Sequence, residues 1–115
     1  MNRITSTTPD ITLTRTTGTC ATSGDNEIIA SPGAGMKIVI CAYHIQNETS
    51  NATTAIFKDG STAFRRVRMS GDGDGIDREL EPEQFVHLSA NSAFNINLSG
   101  ANSCGYSIVS YTTVA

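Results

Sequence analysis

The densest run of potential oxygen ligands is Gly71-Asp72-Gly73-Asp74-Gly75-Ile76-Asp77, in which carboxylates recur with glycines between them. A tight loop of this kind can converge hard oxygen donors on a cation such as calcium, and Asp72, Asp74 and Asp77 are its candidate ligands. The match to a helix-loop-helix calcium motif is only partial. A loop starting at Asp72 places Asp74 and Glu83 correctly, but it puts Ile76 where a ligand belongs and Asp77 where the turn glycine belongs. No helical periodicity flanks it, and a solvated Gly-Asp turn accounts for the same residues. No cofactor or metal is expected.

The other reactive residue types do not assemble by motif. His44 and His87 are the only histidines, and both fall in strand-like stretches with no nucleophile placed beside them. A zinc or cupin-like cage needs several histidines and a carboxylate, so an enzyme is not expected. Cys20, Cys41 and Cys104 are spaced neither as a metal knuckle nor as a disulfide scaffold, which predicts reduced thiols. Cys41 lies among apolar neighbours, where a thiol is inert. Asn47, Asn51 and Asn97 each begin an N-x-[ST] triplet, but no secretory signal accompanies them. Gly33-Ala34-Gly35 is too short for a phosphate loop and no helix follows it.

Arg65, Arg66 and Arg68, with Lys58, form the one concentrated positive patch. Guanidinium forks suit carboxylates and phosphates. An acidic stretch, Asp77, Glu79, Glu81 and Glu83, lies a short way downstream, and the two signs can satisfy each other across subunits. The patch therefore reads as a protein interface, with a solvated or salt-bridged strand face as the alternative. A net charge of -3 gives no general attraction to phosphate backbones, so nucleic acid is not an expected partner. No apolar run approaches the roughly 20 residues that span a bilayer, and the first residues lack an apolar signal core. A protein made in the cytoplasm, without a membrane partner, is expected.

The elements that must carry these residues are strands. At 115 residues there is apolar surface for one core. Thr, Ser, Asn and Gly abound where a helical protein would show Leu, Lys and Glu, and no stretch has a 3.6-residue apolar period. Short alternating runs are predicted at Ile28–Ala30, Met36–Gln46, Thr54–Lys58, Thr62–Met69, Gln84–Ser89, Ala93–Ser99 and Gly105–Val114. Asp59-Gly60-Ser61 supplies a hairpin turn between the third and fourth of these. In the strongest run Ile38, Ile40 and Ala42 are expected on one face and Val39, Cys41, Tyr43 and Ile45 on the other. Residues 1–25 form a Thr/Ser-rich arm, ahead of a sandwich domain at 26–115. Within the arm Ile11-Thr12-Leu13-Thr14 alternates, so Ile11 and Leu13 are candidate contacts, either as an in-domain strand or against a neighbour. The fold predicted is all-β, a jelly-roll-like antiparallel sandwich of about eight short strands.

Three stretches carry a resemblance: Ile28-Ile29-Ala30-Ser31-Pro32-Gly33-Ala34-Gly35-Met36-Lys37-Ile38, Phe57-Lys58-Asp59-Gly60-Ser61-Thr62-Ala63, and Phe94-Asn95-Ile96-Asn97-Leu98-Ser99. In order and type, over about Ile28 to Val114, they resemble the small jelly-roll virion proteins of tailed bacteriophages, which include capsid decoration or cement proteins. The resemblance implies a homotrimer on the outer surface of the virion, bound where subunits of the major capsid protein meet. These are turn and strand motifs with no residue-level signature for capsid contact. The alternative within the same resemblance is a tail, neck or fibre domain for attachment or receptor binding, although a sugar-binding face would display clustered aromatics that are not evident here.

Overall fold

The computed structural model describes residues 11–115. Nine strands follow one another: β1 (Thr14–Cys20), β2 (Gly24–Ile29), β3 (Met36–Asn47), β4 (Thr53–Asp59), β5 (Thr62–Met69), β6 (Gly75–Glu79), β7 (Val86–His87), β8 (Phe94–Leu98) and β9 (Cys104–Val114). One short 3-10 turn, Pro82–Gln84, is the helical element among the described residues. The strands form two antiparallel sheets packed as a sandwich. The first runs β1-β9-β3-β6, with the two-residue β7 also pairing β3, and the second runs β2-β8-β4-β5.

The chain pairs with itself as a folded ribbon. β4 and β5 form the hairpin predicted at Asp59–Thr62, where Gly60 takes the positive φ of 61° that the tight turn needs. Outward from that hairpin, β3 pairs with β6, β2 with β8 and β1 with β9. Two further pairings, β3 with β9 and β4 with β8, draw the ribbon into sheets. The core between them is read directly from alternation: Phe94, Ile96 and Leu98 of β8 and Ala55 and Phe57 of β4 are fully buried from one sheet, and Ile38, Ile45 and Ile108 from the other. Phe57 stands at its centre, with ring centroids 5.0 Å from Tyr43 and 5.6 Å from Phe94, both edge-on. Edge-to-face packing adds roughly 0.5–1.5 kcal/mol per pair beyond burial.

Two bulges re-aim side chains in ways that simple alternation misses. In β3 the register against β9 shifts between Ile40 and Ala42, leaving Cys41 as the extra residue. Ile38, Ile40, Tyr43 and Ile45 therefore share the core, which corrects the expected division of this strand. Val39 and Cys41 are buried outside that core cluster. In β5 the register against β4 shifts at Phe57/Lys58, and Phe64 is the extra residue. Phe64 turns inward against Phe57 and Phe94 instead of outward with Arg66 and Arg68.

The strand within residues 1–25 also lies later than expected. Ile11–Leu13 is not in a sheet, and Thr14–Cys20 is, so residues 14–25 belong to the sandwich. Thr16 and Cys20 are the residues of β1 that gain cover, because an edge strand buries only its inward face. The segment 1–10 lies outside the described residues. The strand β6 was not anticipated, since its glycine start and charged residues read as loop. What places it is backbone pairing to β3, with Ile76 opposite Ile45.

Candidate functional site

The Gly-Asp loop is built as a turn. Asp74 accepts hydrogen bonds from Ser70 N (2.8 Å) and Ser70 Oγ (3.1 Å) on one carboxylate oxygen and from Gly75 N (3.1 Å) on the other. The Ser70 amide and hydroxyl, followed by the Gly75 amide, hold its carboxyl below the usual 3.8. The loop is tied down by Asn47, whose backbone N donates to Asp74 O at 2.8 Å and whose O accepts from Gly73 N at 2.8 Å. Asp77 lies in β6 opposite His44, away from the turn. Among the described residues no group of three or more His, Cys, Asp and Glu side chains is placed to hold a metal ion, and Asp72, Asp74 and Asp77 do not converge. Both carboxylate oxygens of Asp74, the central candidate ligand, are engaged in closing the turn.

Asn47 is the residue of this region whose importance the sequence hid. It is fully buried, donates from Nδ2 to Asn51 O (2.7 Å), and accepts on Oδ1 from Thr49 N and Thr49 Oγ1, each at 2.9 Å. The N-x-T triplet at Asn47 is thus a turn motif. His44, half-buried on β3, has Asp77 of β6 and Ser107 of β9 as its cross-strand neighbours, but it hydrogen-bonds to neither, and the Ser107 hydroxyl accepts from Arg15 instead; His87 is exposed on β7. All three cysteines are free and buried. Cys20 and Cys104 are nonetheless direct partners across β1 and β9, a pairing their distance in sequence conceals. Burial, and then the neighbouring Cys104, pushes the Cys20 thiol up to about 11. Burial likewise raises Cys104 and Cys41.

The positive patch does not stay together: alternation along β5 sets Arg65 on the side of Val67, facing the core, and Arg66 and Arg68 on the outer side. Lys58 leaves it altogether, forming a 3.0 Å ion pair with Asp25 on the outer face of the second sheet, and Asp25 also accepts from Asn97 at 2.7 Å. Those two bonds, the Asn97 one first, lower the Asp25 carboxyl. Arg66 and Arg68 are exposed on β5, the edge strand at the opposite side of the same sheet. Arg65 points the other way, with its guanidinium carbon 6.0 Å from the centre of the Tyr43 ring. Lys58–Asp25 is the one salt bridge among the described residues, so Arg66, Arg68 and the acidic residues Asp77, Glu79, Glu81 and Glu83 have no ion-pair partner there.

Between the edges β5 and β6 the sandwich opens into a cavity of about 240 Å³, lined by Tyr43, Phe64, Arg65, Arg78, Leu80, Gln84 and Val86. A cleft of about 410 Å³ lies beside Thr53, Thr54, Arg68, Ser70, Asp74 and Ser99. Among the described residues, the large apolar side chains left exposed are Ile11, Leu13 and Val114, at 56%, 59% and 72%. Ile11 and Leu13 precede β1 and Val114 ends β9; with Thr14 opposite Ser110, all three lie at one end of the first sheet. No family model, no curated protein and no solved structure matches this chain.

Proposed function

We propose that this chain is a structural virion protein that binds the outside of an assembled phage capsid and stabilises it as a trimeric decoration protein, with its sandwich wound as a jelly roll. The observation that carries the reading is strand order. Eight strands pair first with last, second with next-to-last, and so inward to one hairpin, and then divide into β1-β9-β3-β6 and β2-β8-β4-β5. A double ribbon rolled into two facing sheets gives that order, and viral capsid domains are among the proteins built on it. Such a fold hosts many functions, so the surface must supply the rest.

The surface supports assembly. Exposed Arg66 and Arg68 on one edge, and exposed acidic residues from Asp77 to Glu83, are left to meet complementary charge on another molecule. Apolar Ile11, Leu13 and Val114 at one end of the first sheet offer the uncharged part of such a contact. A protein that binds the assembled shell and not its dissociated subunits stabilises the shell by mass action, and a trimer multiplies each weak contact.

The test is to count this chain against the most abundant shell protein in purified particles that carry it. A near-stoichiometric ratio is expected, together with sedimentation of the isolated protein at three times its 12.2 kDa chain mass. Arg66→Glu combined with Arg68→Glu should weaken that assembly with the melting temperature kept. A handful of copies per particle would instead place the chain in a tail, neck or fibre, and absence from particles would refute the virion reading.

A further inference from the structure

The cavity between β5 and β6 is used by no part of the reading above, and its chemistry is specific. Its walls come from both sheets: Arg65 and Phe64 enter from β5, while Tyr43 and Arg78 stand opposite each other on β3 and β6. Two guanidinium groups thus share one mouth with no carboxylate among the lining residues. The Nε of Arg65 is buried and has no hydrogen-bond partner. A buried donor left unmade is costly, and a charged one more so, unless something supplies the acceptor. Gln84 adds an amide at the rim, and Leu80 and Val86 supply apolar wall.

We propose that this cavity is a binding site for a carboxylate carried on a small, flat apolar body. The carboxylate would accept from Arg65 and Arg78, whose forked donors match its two oxygens. The body would lie between the Tyr43 and Phe64 rings and the aliphatic wall, which a bare inorganic anion could not fill. The bulge at Phe64 makes this possible, since it brings an arginine and an aromatic ring to the same side of one strand.

Benzoate is the probe, titrated into the whole protein while the Arg Nε–Hε resonances are followed by NMR. A saturable shift of the Arg65 and Arg78 signals is expected, with benzyl alcohol and inorganic phosphate each binding at least tenfold more weakly. Arg78→Gln, an exposed position where folding is not at risk, should weaken benzoate at least tenfold, and Arg65→Gln should do the same. A blocked glutamate peptide, which has the carboxylate without the flat body, should compete only weakly, and one that outcompetes benzoate would overturn the proposed body. No saturable shift, equal binding of benzyl alcohol, or affinity unchanged in Arg78→Gln would overturn the proposal. None of these outcomes depends on whether the protein binds a shell.

Discussion

Replacing Asn47 with alanine tests whether the turn at the end of β3 is held by one buried amide. The substitution removes three hydrogen bonds, at 2.7, 2.9 and 2.9 Å, leaving Thr49 N without its partner and Asn51 O with only a 3.4 Å bond from Thr49 Oγ1. Each bond contributes about 0.5–1.5 kcal/mol net, and water reaches the half-buried Thr49 and exposed Asn51 to recover part of the loss. The expected destabilisation is about 2–3 kcal/mol, which lowers the melting temperature by about 8–12 °C in a domain of this size. Urea unfolding followed by circular dichroism is the assay, with the slope unchanged so that the midpoint reports stability alone. Asn51→Ala is the control. It deletes one exposed 3.3 Å bond to Asn102 and keeps the carbonyl that Asn47 uses, so it should stay within about 0.5 kcal/mol of the parent. An Asn47→Ala protein as stable as that control would refute the account of the turn.

Other perturbations follow from the same geometry. A Cβ at Gly75 would collide with the backbone of Ile45 and Gln46, so Gly75→Ala should push β6 off β3 and cost roughly 1–3 kcal/mol in the same unfolding assay. At pH 8 the Cys20 thiol, pushed up to about 11 from 9.0, should react with a thiol reagent roughly 100-fold more slowly in the native protein than in urea. Asp25 and Asp74 are held below 3.8, so the stability they add is fully present above that value and is lost as pH falls through their folded values. Unfolding titrations between about pH 5 and pH 2 should therefore show a fall that flattens in Asp25→Asn and Asp74→Asn. Calcium should leave the melting temperature unchanged, as scanning calorimetry with and without the ion would show.

Strand positions were legible wherever apolar residues alternated without interruption. The predicted run Ala93–Ser99 alternates and buries Phe94, Ile96 and Leu98, and β5 runs Thr62–Met69 as predicted. What failed were the places where one extra residue changes the phase. A bulge has no composition of its own, so the residues around Cys41 and Phe64 give no warning that Tyr43 and Phe64 turn toward the core. Edge strands hid for a different reason. Thr14–Cys20 and Gly75–Glu79 show little apolar pattern because one face is all they bury, and backbone pairing to a distant partner is what orders them. The candidate site suffered from both effects. Alternation sets Arg65 beside Val67 and away from Arg66 and Arg68, the bulge adds Phe64 to its side, and Arg78 across the cavity belongs to a strand that sequence pattern does not reveal.

The position of β9 governs how this protein can be made. It is the strand latest in sequence, yet it lies inside the first sheet, hydrogen-bonded to β1 on one side and β3 on the other. During synthesis β1 therefore emerges with no partner and must wait for Cys104–Val114 before its backbone can be satisfied. Closing so long a loop is entropically expensive, which places folding in the millisecond-to-second range typical of sandwiches. A ribosome halted before residue 104 would leave two edges of a sheet with their centre missing, a species with open hydrogen-bonding rows and a tendency to aggregate.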